Sequence, residues 1–472
     1  TKSRYIGVLL PNCTSMTATL FGVLFSGHTP AVINFSAGAE VAFEAAKRAG
    51  IDTILTSRRF LAKLGWDEIP GMIFLENEAK KVTKAEKRSM ILKTALLPFR
   101  TLVRRAAPES AFNVGREAVL LFSSGSTGKP KAVRLTHRNI NCDLWAFWRM
   151  ILWTRRDRVV GNLPLFHAYG FTVEFAFPAV SGTPVVYLAN PLDAAGVVKV
   201  IEEFQITLLT ATPTFLQNYM RKAKPEQLKT LRLVITGAER LRPELSAKFR
   251  ELSGLEIIEG YGCTELSPIV TVNLCNSIYE LGTRAHHTGS IGIPLPGIHV
   301  RVVDPDTGIE LGPDQPGLMQ VKGGTVMKGY LHDPELTARV IQNGYYNTGD
   351  IARIDRDGYV YITGRASRFS KIGGEMVPHE LVEQAIADER GSEEREVAVA
   401  GRSDPKRGER LVVFYTPEDF EPEAVVDGLR RRKLPNLWIP KPEDFVRLDH
   451  LPLLGSGKLD LAKLKQLAEE LA

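Results

Sequence analysis

What this 472-residue chain lacks already narrows its class. Cysteine is scarce: Cys13, Cys142, Cys263 and Cys275 lie far apart with no CxxC pair. That spacing excludes a zinc cluster or a disulfide scaffold and predicts reduced thiols in a cytosolic compartment. Neither sign of charge dominates, since 60 Lys and Arg face 54 acidic residues for a net charge of +6. So small a surplus, with no interleaved aromatic array beside it, predicts no nucleic-acid partner. Internal repeats and low-complexity tracts are missing. The one long uncharged stretch, Ile6 to Ala39, is broken by Pro11, Asn12, Thr14, Ser15, Thr17 and Thr19 and again by Gly27-His28-Thr29-Pro30. A spanning helix needs about 20 predominantly apolar residues in a row. The stretch therefore reads as a buried helix followed by a strand from Ala31 to Asn34. What remains is a globular mix, 44% hydrophobic and 24% charged. At about 150 residues per domain it predicts roughly three folding units.

Short apolar runs alternate with helical patterns through the first half. Strands are expected at Tyr5 to Leu10, Thr53 to Thr56, Ala118 to Phe122, Arg158 to Asn162, Val185 to Leu188, Leu208 to Ala211 and Leu231 to Thr236. Such alternation predicts an α/β fold with a largely parallel sheet. From about residue 285 the texture turns to Gly- and Pro-punctuated strands, at His299 to Val303, Leu318 to Val321 and Tyr359 to Thr363, which predicts a β-rich subdomain. Beyond Gly364 the chain is charged and helix-rich. The expected division is a large unit over 1–366 and a small one over 367–472. A core strand opening almost without lead-in predicts that these residues belong to a longer chain.

Charge is concentrated at one place. From Lys80 to Arg105 there are nine Lys and Arg and a single acid, Glu86, a local +8. Leu92, Leu96, Phe99 and Val103 recur at helical spacing, with Pro98 expected to kink the helix. Two readings stand: an anionic membrane surface or acidic partner, or a solvated surface helix covering the core.

The most informative run is Leu121-Phe122-Ser123-Ser124-Gly125-Ser126-Thr127-Gly128-Lys129-Pro130-Lys131. Glycines and small hydroxyl residues after an apolar strand suit a loop whose amides and hydroxyls wrap a phosphate. A Walker loop would need Gly at 123 and Ser or Thr at 130, so this is a different cradle. A plain linker would have no use for Lys-Pro-Lys beside a strand. Further along, Glu259-Gly260-Tyr261-Gly262-Cys263-Thr264-Glu265 offers an aromatic face, a hydroxyl and a carboxylate suited to a base, a phosphate and Mg²⁺. Asn347-Thr348-Gly349-Asp350 and Gly364-Arg365 supply an acid for ribose hydroxyls and a nearby cation. Gly455-Ser456-Gly457-Lys458 puts a lysine on a Gly-Ser loop.

In this order, these segments closely resemble the acyl-adenylate-forming superfamily of acyl-CoA synthetases, non-ribosomal adenylation domains and luciferases. The resemblance runs from about Tyr5 to the C-terminus. It implies a large N-terminal α/β adenylate-forming domain with mixed sheets, a small mobile α+β C-terminal domain, and ATP and Mg²⁺ as cofactors. By matching position, Ser123, Ser124, Gly125, Ser126, Thr127, Gly128 and Lys131 belong to the phosphate loop. Gly237, Ala238, Glu239, Tyr261 and Gly262 would border the nucleotide, Thr264 the α-phosphate, Glu265 the Mg²⁺, Asp350 the ribose and Arg365 the ribose or phosphate. Lys458 would be the adenylation lysine. Two steps are implied, acyl-AMP formation and then transfer to a pantetheine thiol, with the small domain rotating between them. The matching hinge position holds Ser367 where relatives usually carry Asp or Lys, and Ala132 replaces the usual glycine after Pro-Lys. Lys371, Gly373 and Gly374 would face the thiol.

Residues 261–268, 368–376 and 454–460 look particularly like the bacterial acyl-acyl carrier protein synthetases joined to a lysophospholipid acyltransferase. That branch implies a fatty acid substrate, acyl carrier protein as acceptor, lysophospholipid reacylation, an upstream acyltransferase domain, and the cytoplasmic face of the inner membrane for the full-length protein. The alternative is a long-chain fatty acyl-CoA synthetase with CoA as acceptor. His167, within Leu163-Pro164-Leu165-Phe166-His167-Ala168-Tyr169-Gly170, would orient the substrate carboxylate, though a lone His in an apolar run is also a common core residue. Three patterns are set aside. His299 and Asp304 have the His-x4-Asp spacing but fall on opposite strand faces. His379-Glu380-Leu381-Val382-Glu383 ends in Glu where a zinc protease needs His. No GxSxG nucleophile elbow is found.

Overall fold

The computed structural model describes residues 3–108, 113–124, 130–151, 153–274, 286–373, 375–392, 395–432, 434–453 and 459–471, apart from the side chains of 99, 124, 367 and 376. Lys458, Gly374, Cys275 and the loop from Gly125 to Lys129 lie outside these residues.

Two seven-stranded sheets form the large N-terminal part. In the first, Tyr5–Leu9 is flanked by Thr29–Val32 and Ile54–Thr56, with Met72–Phe74 at one edge, all parallel. Glu117–Ser124 joins in parallel and Pro130–Thr136 returns antiparallel beside it. In the second, Val185–Tyr187, Val159–Gly161, Leu208–Ala211, Leu233–Thr236 and Ile257–Gly262 run parallel, and Ile269–Asn273 turns back. These strands are continuous apolar runs because helices cover both faces. The uncharged N-terminal stretch forms the helix Thr14–Phe25 between its strands, and among the described residues no helix is long and apolar enough to cross a membrane.

A third sheet is antiparallel: Ile298–Val303, Gly317–Gly323, Tyr345–Ile354 with Ile341–Gln342 and Val360–Arg365. Its Met319 and Val321 share one core with Val119, Leu121, Val133, Leu233, Ile258 and Val270. All three sheets thus pack as one body. A fourth sheet, in the smaller C-terminal part, has separate cores on its two faces, one around Val377, Val382 and Val413, the other around Val412, Phe414 and Leu464. The charged texture hides its hairpin, Val397–Asp404 with Gly408–Tyr415. One face of that hairpin meets the helix Leu461–Glu470 and the other His379–Arg390, so both strands carry apolar residues inward.

His379 and Glu383 are structural. His379 Nε2 lies 2.8 Å from Ser370 Oγ, and Glu383 accepts from Arg368 and from the Val399 amide. Burial, seconded by the Arg368 charge, lowers the His379 pKa to about 3. The folded form therefore stays neutral where the unfolded chain protonates, so stability is complete above about pH 6.5 and falls as pH drops toward 3. Going from pH 7 to 5 should cost about 2 kcal/mol through this residue. Denaturant titrations at the two pH values should show that loss in the parent and a smaller one in His379→Gln. Equal losses would contradict the assignment. His299 is exposed on its strand, and Asp304 lies just past it, capping a turn at Asp306 and Thr307.

Candidate active site

The site forms at the carboxyl ends of parallel strands, where open α/β sheets bind ligands. Glu117–Ser124 brings Ser123 and Ser124 there from the first sheet. Leu233–Thr236 and Ile257–Gly262 bring Gly237 and the Tyr261-Gly262 pair from the second.

The Thr264–Leu266 turn follows directly and sets Glu265 in a buried position. Ser123 Oγ donates to Glu265 Oε1 at 3.2 Å, and the Tyr330 hydroxyl donates to the same oxygen at 2.9 Å. The Met327 amide donates to the Glu265 carbonyl at 2.8 Å, which fixes the backbone behind the carboxylate. Lys131, paired with Ser123 across the hairpin, holds its Nζ 5.4 Å from the Tyr330 ring centroid. A carboxylate, two hydroxyls and a cation thus converge at the end of the strand Glu117–Ser124. Thr264 starts the turn and is half-buried. Gly262 is required there, because a Cβ would meet the Pro268 carbonyl oxygen at 1.9 Å.

A second cluster joins the second and third sheets. Asp350 and Arg365 are register partners on Tyr345–Ile354 and Val360–Arg365, and Arg365 Nε lies 3.0 Å from Asp350 Oδ1. The other Asp350 oxygen accepts from the Tyr261 hydroxyl. Burial raises the Asp350 pKa, with Arg365 pulling the other way. The Tyr261 phenol is driven far up by burial and then by the Asp350 charge. Cys263 rises as well, from burial and then from Glu265 and Asp350, so its thiol stays protonated and is no nucleophile.

Gly237, just past the strand Leu233–Thr236, stands at a narrow gap. A Cβ on it would stand 3.1 Å from the Gly260 carbonyl oxygen and 3.6 Å from the Tyr169 ring. Ala238 follows at φ 69°, in the left-handed region, where a side chain costs about 1–2 kcal/mol. Such strain collects at ligand sites. Glu239 is exposed and turned to Thr214, accepting from its hydroxyl at 2.6 Å and its amide at 3.1 Å, so it braces the Pro213–Met220 helix. His167 is exposed at the start of the Ala168–Gly170 turn, its ring 4.5 Å from that of Phe166. The core reading of this histidine therefore fails. Tyr169, two residues on, lies against Gly237 and donates to the Ile235 carbonyl at 3.0 Å, which brings the His167 loop to the same strand end. Ser367 lies in the Ala366–Arg368 turn between the large and small parts.

Sequence reasoning missed Tyr330, Tyr169 and Glu174. Glu174 is fully buried, accepts from the Leu163 amide at 2.8 Å and from the Thr210 hydroxyl at 2.7 Å, and burial pushes its pKa up. It anchors the loop that carries His167. The only sequence signal for it is a charge inside the apolar run from Phe171 to Phe177.

The residues present fit a nucleotide and Mg²⁺. Among the described residues no three acidic, His or Cys side chains gather as a metal cage. One buried carboxylate beside Ser123 and Tyr330 suits Mg²⁺, which keeps waters and substrate phosphates as its other ligands. The slot at Gly237, with Tyr261 and the Asp350–Arg365 pair, suits a base and a ribose.

The chain belongs to the AMP-binding enzyme family, whose model matches residues 1–331, and the AMP-binding enzyme C-terminal domain matches residues 382–458. It is 34% identical over 350 residues to the long-chain-fatty-acid–CoA ligase of Yersinia pestis, covering 72% of this chain and 60% of the relative. The corresponding ligase of Bacillus subtilis (strain 168) is 30% identical over 348 residues, with the same coverage. The match thus spans about 60% of the length of these curated relatives. A feruloyl-CoA synthase of Amycolatopsis sp is 30% identical over 75% of this chain and 70% of its own. Among solved structures, o-succinylbenzoate CoA synthetase (MenE) of Bacillus subtilis with ATP and magnesium superposes at TM-score 0.78, with 24% identity over 98% of this chain and 89% of that one. ATP-bound MatB of Rhodopseudomonas palustris gives 0.76 at 22% identity over 99% and 89%. These two show the fold: a large α/β domain of mixed sheets and a smaller C-terminal domain. As in other adenylate-forming enzymes, the cofactors are ATP and Mg²⁺.

Proposed function

We propose that this chain activates a long-chain fatty acid with ATP as an acyl-adenylate and passes the acyl group to the thiol of CoA. The observation that supports the first step is the hydrogen bond from Ser123, at the head of the glycine- and hydroxyl-rich run, to the buried carboxylate of Glu265. The fatty acid and CoA are supported by the long-chain ligases among the relatives.

In this reading the substrate carboxylate attacks the α-phosphorus, a P–O bond forms and pyrophosphate leaves. Two anions must meet, and negative charge grows on a crowded phosphate. Mg²⁺, when bound at Glu265, supplies charge neutralisation there. Thr264 donates a hydroxyl to the α-phosphate, and Ser123, Ser124, Gly125, Ser126, Thr127, Gly128 and Lys131 hold the outgoing phosphates. Asp350 accepts from the ribose hydroxyls while Arg365 pairs with its carboxylate. Gly237, Ala238 and Tyr261 take the base, Glu239 braces its rim, and Gly262 lets the strand turn away. Lys458 meets the developing charge, and His167 orients the acid. Residues 1–366 and 367–472 then act as two bodies pivoting at Ser367, with Lys371 and Gly373 turned to the thiol in the second step.

Acyl carrier protein is the second acceptor reading, favoured by residues 261–268, 368–376 and 454–460. With that acceptor the product would serve lysophospholipid reacylation, beside an acyltransferase domain at the cytoplasmic face of the inner membrane. Incubation with ATP, Mg²⁺ and a long-chain fatty acid, offering CoA in one tube and holo-acyl carrier protein in another, separates the two. Thioester on CoA is the expected product. Thioester on the carrier alone would move the assignment to the second reading, and pyrophosphate release with neither thioester would overturn both acceptors.

A further inference from the structure

The concentrated charge from Lys80 to Arg105 has no part in the site, and its structure is unusual. Every residue from 77 to 96 is exposed. The helix Lys84–Leu96 opens with a capping box, Thr83 Oγ1 accepting from the Glu86 amide while Glu86 accepts from the Thr83 amide, yet it buries no residue. Met90, Ile91, Leu92 and Leu96 are 57%, 69%, 60% and 71% exposed. A 13-residue helix is marginal in water by itself, since helices take most of their stability from packing an apolar face. This one leaves its face uncovered. After the break at Leu97-Pro98, the helix Phe99–Ala106 half-buries Leu102 and Val103 and turns Arg100, Arg104 and Arg105 outward.

The pattern of the open face identifies what covers it. Ile91 and Ala95, and Leu92 and Leu96, form two adjacent i, i+4 rows, and Arg88 falls within the same face. In a protein groove the Arg88 charge would be buried and need its own partner. At a bilayer surface its stem lies among the acyl chains while the guanidinium reaches back to lipid phosphates. Lys84 begins the row of Arg88, Leu92 and Leu96, Lys87 and Lys93 border the face, and the segment's net charge is +8. Each basic residue near an anionic leaflet adds about 1 kcal/mol of attraction, roughly a fivefold gain in partitioning.

We propose that helices Lys84–Leu96 and Phe99–Ala106 form a docking element for membranes rich in anionic phospholipid, with Ile91, Leu92 and Leu96 entering the headgroup–acyl boundary. It needs no spanning segment, and it holds whichever acid or acceptor the enzyme uses.

Flotation of the purified chain with vesicles tests it. Vesicles of phosphatidylcholine with about a third phosphatidylglycerol should carry the protein upward, and phosphatidylcholine alone should not. About 1 M salt, where the screening length is near 3 Å, should release it. The triple variant Lys84→Gln/Lys87→Gln/Lys93→Gln should lose on the order of 100-fold in partitioning. Ile91→Ser/Leu92→Ser/Leu96→Ser should lose at least about tenfold. All six positions are exposed, so both variants should retain fatty-acid-dependent pyrophosphate release without vesicles, which separates this test from that of the activity. Failure of the parent to float with anionic vesicles would overturn the proposal. So would apolar substitutions that leave flotation unchanged while the chain binds polyglutamate equally well, the behaviour of a site for an acidic protein.

Discussion

Replacing Glu265 with Gln should lower acyl-adenylate formation by about 10²-fold or more, the loss expected for one preorganised electrostatic group. The substitution keeps shape and acceptor. Glu265 Oε1 takes hydrogen bonds from Ser123 and Tyr330, and the Gln carbonyl oxygen can take both. What disappears is the negative charge available to Mg²⁺. The defect should therefore ease partly as Mg²⁺ is raised in an ATP–pyrophosphate exchange assay, with the melting temperature little changed. A near-normal rate at low Mg²⁺ would remove Glu265 from the metal role.

Lys458→Ala should be as damaging, and selectively so. Attack on the α-phosphate builds charge that a lysine would neutralise more in the transition state than in the ground state. Adenylation should fall about 10²-fold or more. Thioester formation from preformed acyl-adenylate should stay within a few-fold of the parent, because that step breaks the acyl C–O bond, with AMP leaving, and makes no new bond at phosphorus. Equal losses in both half-reactions would mean a structural role, and normal adenylation would end the assignment.

The parts of this account that the sequence made legible are those carried by local chemistry. The run from Ser123 to Lys131 reads as a candidate phosphate loop because glycines and hydroxyls beside Lys-Pro-Lys follow an apolar strand, and its Ser123 end meets Glu265. Glu265 and Asp350 stand out because each lies in a short polar motif beside an apolar strand. Tyr330 does not. It comes from a two-residue strand, Gly329–Tyr330, added to the edge of Pro130–Thr136, a pairing between distant segments that leaves no periodicity to read. Glu174 is hidden for a similar reason: its partners, the Leu163 amide and the Thr210 hydroxyl, are brought to it only by the packed sheet. In the C-terminal part, Arg402, Asp404, Lys406, Arg407, Glu409 and Arg410 crowd the hairpin tip and mask two strands whose apolar residues face the cores. The spacing predicts one helix kinked at Pro98; instead the chain is extended at Leu97 and Pro98 and the helix ends at Leu96, since proline disfavours a helical residue before it. That the helix before it covers nothing could not be read from spacing alone.

The central claim is that a carboxylic acid is activated here as its adenylate, and fatty-acid-dependent ATP–pyrophosphate exchange tests it most directly. Exchange that requires Mg²⁺ and a long-chain fatty acid together, with AMP and not ADP as the nucleotide product, is what the site predicts. Release of ADP and phosphate, or no exchange with any acid while ATP still binds, would contradict it.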